Sequence, residues 1–584
     1  MKDNYCLLRN MTAGMIVLGR SAVGYLFRLR SVSALTISVA LGACGGGGST
    51  SVTPTALVPP VPVVVVTTGD AVRLAKQASF GPTATLANHI TALGTAAWLD
   101  EQFAASGSNY ADLAARVVAK SNCGGLTGTA QSTCNRDNFS SFPVAMEFYT
   151  HAALNNDQLR QRVAFALSQL IVASDFEVHT TAGLAVFNQI FLDNAFGNYR
   201  DILRQATLNP YMGSYLNLAD SSKVAPNENY ARELMQLFAM GVNQLNADGT
   251  AKTDASGATV ATFTGADVHD IARALTGWTY TRIGGAPLTN TDALDYSKPM
   301  VTNPALYDTT AKSFLGATVT AGASQDASVD AVIDAVFNNA SIAPYVTRAL
   351  IQQLVVSNPS AAYVGRVAAV FANNGSGVRG DLKAVVRAIL TDTEARGDAK
   401  AGTADGKLKE PVLYTMALAR LLAVKTTDGY AMTTRDAGMG LTPFRAPSVF
   451  NFYPPDYPLP LSNGLVSPAT KLMTTATIIA RHNLGYDWTV TGDTRAEYAV
   501  QTGITGSTGT TVDWSAWEAI TDPAKLADTI DLLMLNKTMT AAQRTALLAA
   551  INAITNADPA VQARKRAQTA LYIVATSPQF QVDR

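Results

Sequence analysis

Between Glu228 and Trp278 the chain gathers groups that can move protons or hold charge. Glu228, Arg232 and Glu233 stand in one run; Asp267, His269, Asp270 and Arg273 follow in a second. Carboxylates are the residues of general acid–base chemistry, and a pair about 5–9.5 Å apart is what glycosidic hydrolysis needs. Glu228, Glu233 and Asp267 are therefore the catalytic candidates. Glu228 and Glu233 lie about 140° apart on a helical projection, so a working pair would join one of them to Asp267 or Asp270. Arg232, Arg273, His269 and Trp278 are the binding candidates beside them. The bland alternative is a solvated face or a structural ion-pair network, and periodicity does not separate the two.

Two short helices must position these groups. On the first, Glu228, Arg232, Gln236, Asn229 and Glu233 fill one arc, with Tyr230, Leu234, Leu237 and Phe238 opposite it. Pro226 suits the first turn, and Gly241 suits a left-handed stop. Glu228 and Arg232 are spaced i,i+4 with the acid first, the favoured order. The second helix opens on Thr264-Gly-Ala-Asp267, a capping-box spacing, and buries Val268, Ile271, Ala272 and Leu275. Gly277 ends it. The functional reading requires the two polar faces to meet across a cleft.

Elsewhere the chemistry is sparser. Phe444, Phe450, Phe452, Tyr453 and Tyr457 crowd a Pro-rich stretch around Arg445. Arg445, Phe452 and Tyr453 are binding candidates there: the rings form either a sugar-stacking platform or the apolar plug of a long loop, and Arg445 is free to pair with an acid. Gly375–Gly380 matches GxGxxG, but a helical pattern precedes it where a strand is needed. It reads as a connector with Asp381 capping the next helix. The five histidines show no metal spacing, no HExxH occurs, and no metal site is expected. No motif specifies a cofactor, which stays unknown.

Several blocks in order carry a resemblance: LAKQASFGPT (74–83), RQRVAFALSQLIVAS (160–174), NENYARELMQLFAMGV, DVHDIARALTGW, KSFLG (312–316), GDLKAVVRAIL (380–390) and APSVFNFYPPDY (446–457). Together they resemble bacterial domain-of-unknown-function family 1800, from about Asp70 to the C-terminus. The resemblance implies an exported protein and a sulfatase-like partner protein from a neighbouring gene; it brings no catalytic residues. Where the family usually has His-Asp before the KxFLG block, this chain has Tyr307-Asp308, so nothing that needs that histidine applies.

The N-terminus points to export. Arg28 and Arg30 precede an apolar run ending Leu41-Gly-Ala-Cys44, a lipoprotein signal in which Cys44 is lipidated. That run, about a dozen residues, is too short to span a bilayer. Residues 1–43 are read as leader, 44–68 as a Gly/Ser/Pro-rich tether, and 69–584 as the folded domain. The expected place is the cell envelope, lipid-anchored at the outer membrane and facing the periplasm or the surface. Cys123 and Cys134 are expected to form a disulfide in that oxidising setting. Basic and acidic residues balance at 44 each, which argues against a nucleic-acid partner.

The 584 residues read as an all-α fold of roughly fifteen helices with minor short β-hairpins. A non-catalytic envelope protein, binding or structural in an extracellular-polymer system, is the first functional reading. A carbohydrate- or polymer-active enzyme using the 226–278 acids is the alternative.

Overall fold

In the computed structural model the described residues are 66–584, apart from 401, 403, 493 and 494. The leader, Cys44 and nearly all of the tether lie outside them. The Gln158–Leu170 helix sits deep in the core because its apolar residues run round it: Leu159, Val163, Phe165 and Leu167 are all buried. Phe165, Phe148 and Phe80 meet in front of it, with ring centres 5.2 and 5.5 Å apart. Phe444 joins them, 5.6 Å from Phe148, and so pins the aromatic stretch to the core.

Around this centre the described residues form 24 α-helices and five two-stranded antiparallel pairs. The fold is all-α with short strand pairs, as the sequence indicates, but with more helices than the fifteen expected. Short ones account for the excess. Asn209 caps the Tyr211 amide and Pro210 takes the first position of the Pro210–Tyr215 helix. The Cys123–Cys134 segment is two helices, Lys120–Gly124 and Gly128–Asn138, joined by the expected disulfide with Cα atoms 5.6 Å apart. The apolar pattern over 86–103 is divided between two helices, Ala84–Leu93 and Thr95–Ala104, because Gly94 takes φ +82°. The first helix is capped by Thr67, and the Asp70 carboxylate accepts from the Gly397 amide.

Two features position the functional groups. The C-terminal strand Val582–Asp583 pairs with Lys407–Leu408 and fixes the Lys407 backbone. Gly380, at φ +74°, packs where a Cβ would strike the Phe337 ring, and Asp381 caps the next helix by accepting from the Ala384 amide. The GxGxxG stretch is therefore a connector.

Candidate functional site

The first helix of the charged stretch is short, Asn229–Gln236, with Glu228 rather than Pro226 at its N-terminal boundary. Past Gln236 the backbone turn widens: the Phe238 amide donates five residues back to Glu233, and the Gly241 amide donates to the Met235 carbonyl at 3.2 Å with Gly241 at φ +72°. Glu228 accepts from Arg232 at 3.0 Å and lies 3.3 Å from His269 Nδ1, so the two helices touch through one polar contact at their exposed edge. Glu233 departs from its expected face: it is buried, and its Oε2 has no hydrogen-bond partner. Burial raises its pKa, against the pull of Arg232.

The second helix, Gly265–Ala274, turns its charges away from the first. Thr264 and Asp267 complete the capping box, and Asp267 Oδ1 also accepts the Leu315 amide at 2.7 Å. Leu315 and Gly316, both at positive φ, form the two-residue turn between strands Lys312–Phe314 and Ala317–Val319. Asp270 accepts from Arg273 at 2.7 Å and from the Ser313 amide at 2.9 Å. Arg273 Nε reaches Asp308 at 2.9 Å, and Asp308 also accepts the Thr310 amide and hydroxyl at 2.8 and 2.5 Å. Burial pushes Asp308 up, but the Thr310 and Arg273 hydrogen bonds outweigh it and hold the carboxyl down at about 2. Lys312 is buried over the Tyr307 ring at 4.9 Å, and Tyr307 Oη donates to the Ala323 carbonyl at 3.0 Å. Tyr307-Asp308 is thus a hinge pin of this clasp. Trp278 is buried in the core, its carbonyl accepting from the Asp220 amide at 2.7 Å.

The aromatic stretch divides. Phe452 is buried, Phe450 is 54% exposed, and Arg445 faces Asp175 at 3.5 Å rather than the acids of the central stretch. Tyr453, also buried, donates from Oη to Glu410 Oε2 at 2.6 Å. Together with the end of the Asn229–Gln236 helix and the Ile342–Leu354 helix, this stretch walls a cleft of about 610 Å³. Tyr345 caps the short helix by donating to the Leu237 carbonyl at 3.0 Å, and it lines that wall. Gln236, Asn243, Gln353 and Arg348 present polar groups there. Glu410 and Lys407 lie at the base; Glu228, Glu233 and Asp267 are not among the wall residues.

The aromatics therefore meet a carboxylate, but it is Glu410, which the sequence reading missed. A signal existed: Lys407-Leu-Lys-Glu410 runs straight into Pro411 at the start of the Pro411–Leu421 helix, so three charges immediately precede a buried helix. Arg162 was likewise a charge inside an apolar helix, and it is fully buried behind the cleft base, where Nη2 donates to the Gln353 carbonyl at 3.2 Å. Among the described residues no group of three metal-ligating side chains converges.

Comparison with curated proteins and with solved structures finds no match. A family model does match, over residues 73–582, a span that includes the clasp, the buried Arg162 helix and the aromatic wall. This chain belongs to the family described as protein of unknown function (DUF1800).

Proposed function

We propose that this protein is an exported, lipid-anchored envelope component that binds a segment of a polyhydroxylated polymer in the cleft beside Phe450. One observation carries the reading: exposed Phe450 and half-buried Tyr345 share a single 610 Å³ cleft with the carboxamides of Gln236, Asn243 and Gln353. Ring faces take the C–H face of a sugar, and a carboxamide both donates to and accepts from hydroxyls. The volume lies within the range of about 300–1,000 Å³ usual for ligand sites. The lipoprotein-like leader ending at Cys44 supports the envelope location, and the sulfatase-like partner implied by the family resemblance would act on the same polymer.

Binding, rather than hydrolysis by Glu228, Glu233 and Asp267, is supported by where those acids sit: off the cleft wall, two of them in hydrogen-bonded pairs. The test is retention of the full-length, detergent-extracted protein in gels cast with soluble neutral or acidic polysaccharides. Retention should fall about tenfold in Phe450→Ala with no change in melting temperature. Equal retention of Phe450→Ala, or none on any polymer, overturns the reading; shortening of the polymer would move it to the enzyme class. Loss of the protein from the membrane fraction in Cys44→Ser tests the anchor.

A further inference from the structure

At the base of the cleft a lysine and an arginine share one acceptor. Lys407 Nζ donates to the Gln353 carbonyl at 2.6 Å, the same oxygen that takes Arg162 Nη2. Arg162 is locked there, with Nε and Nη1 lacking hydrogen-bond partners and its guanidinium 5.5 Å from the Phe80 ring centre. Two residues on, Lys409 has a carboxylate to itself, Asp583 at 2.7 Å. Lys407 has no such partner among the described residues, and unlike Lys409 it lines the cleft. Beside it stands the Tyr453–Glu410 pair, also on the cleft wall.

We propose that Lys407 is an amine nucleophile that captures a carbonyl compound, an aldehyde or ketone such as the open-chain end of a sugar, as an imine in this cleft. The proposal rests on the cleft being the ligand site and adds a covalent step to it. The neutral amine adds to the carbonyl carbon, so a C–N bond forms and the π pair moves to oxygen. Glu410, held by Tyr453, takes one proton from the nitrogen and passes it to that oxygen. The C–O bond then breaks as the C=N bond forms, and the departing hydroxyl takes the second nitrogen proton and leaves as water, so amine plus carbonyl gives imine plus water with no redox partner.

The electrostatics fit. Burial, then Arg162 and Lys409, depress the Lys407 amine to about 8 against the opposing pull of Glu410 and Asp583. An amine whose neutral fraction is raised by desolvation and a neighbouring cation is the activated nucleophile that imine chemistry uses. Lys76 supplies an internal control: burial brings it to about 7, yet it donates to the Met534 carbonyl away from the cleft wall.

The test is reductive trapping of the full-length protein with limiting glycolaldehyde and sodium cyanoborohydride at pH 7, followed by peptide mapping. Lys407 should be modified about tenfold faster than the solvent-exposed lysines, well inside the margin that its larger neutral fraction allows, and faster than Lys76, which is the more neutral of the two but lies off the cleft wall. Its rate should rise with pH and level off above about 8. Lys407→Arg should lose that adduct while the remaining lysines label as before, and Glu410→Gln should slow capture without changing the melting temperature. Modification spread evenly over the lysines, or led by Lys76, overturns the proposal. Wild-type protein that binds polysaccharide without labelling Lys407 sinks this proposal alone; labelling without polysaccharide binding sinks the earlier reading alone.

Discussion

The clasp at Asp267–Asp308 and the base of the cleft are built from the same residue types and reach opposite ends. In the clasp every charge is answered: Asp267 by two amides, Asp270 by Arg273 and an amide, Asp308 by Arg273 and Thr310. At the cleft base two cations lean on one neutral carbonyl, and beside them lies open volume. Answered charges hold a hairpin against a helix. Unanswered ones cost folding energy, and next to a cavity they are available to a ligand.

The strongest way to break this contrast is to remove the cation that organises the clasp. Arg273→Met would leave Asp270 and Asp308 without their common partner, and losing one side of a largely buried pair costs about 3 kcal/mol. The urea midpoint should fall accordingly while polysaccharide retention and Lys407 labelling persist. If both vanish in a protein that is still folded, clasp and cleft are one coupled unit and the contrast fails.

Acid sharpens it. Asp308 titrates near 2 in the folded chain and near its ordinary value when unfolded, so its stabilisation is complete above about pH 4. As pH falls through the folded value it is lost, about 2 kcal/mol in all. Asp308→Asn should flatten that part of the stability curve. Lys407 acts at the alkaline end of the scale. Its folded value lies below that of a free lysine, so the unfolded chain binds the extra proton and stability rises with pH from about 8 upward. Lys407→Met should remove its share of that alkaline rise, leaving the share due to Lys76, and leave the acid limb alone.

Much of this frame could be read from local pattern. The Phe142–Leu154 and Gln158–Leu170 helices, the Thr264–Asp267 capping box, the left-handed Gly241 and Gly277, the disulfide and the Asp381 cap all follow from residues a few positions apart. The cleft did not, because Gln236, Tyr345, Lys407 and Phe450 converge only through tertiary packing. The Asn209-Pro210 cap is ambiguous in the sequence, since Asn-Pro serves a helix start and a loop alike. The partners of Asp267 and Asp270 were hidden too, for they are backbone amides of Ser313 and Leu315, more than forty residues on.

Glu233 is the smallest and most discriminating case, a charge that is neither answered nor beside the cleft. It projects from the edge of the polar arc, and a residue there is placed by whatever packs against that flank rather than by its own helix. Arg232, its one nearby cation, reaches Glu228 instead. With the folded pKa raised, the ionised carboxylate costs stability above that value and nothing once protonated in both states. Glu233→Gln should therefore stabilise the chain by about 1 kcal/mol at pH 8, the order expected for relieving one unsatisfied buried group, and by almost nothing at pH 4. Urea midpoints at the two pH values decide it. A variant destabilised at pH 8 would mean that the carboxylate is bound in its charged form, and Glu233 would then belong with Lys407 among the groups held ready for a ligand.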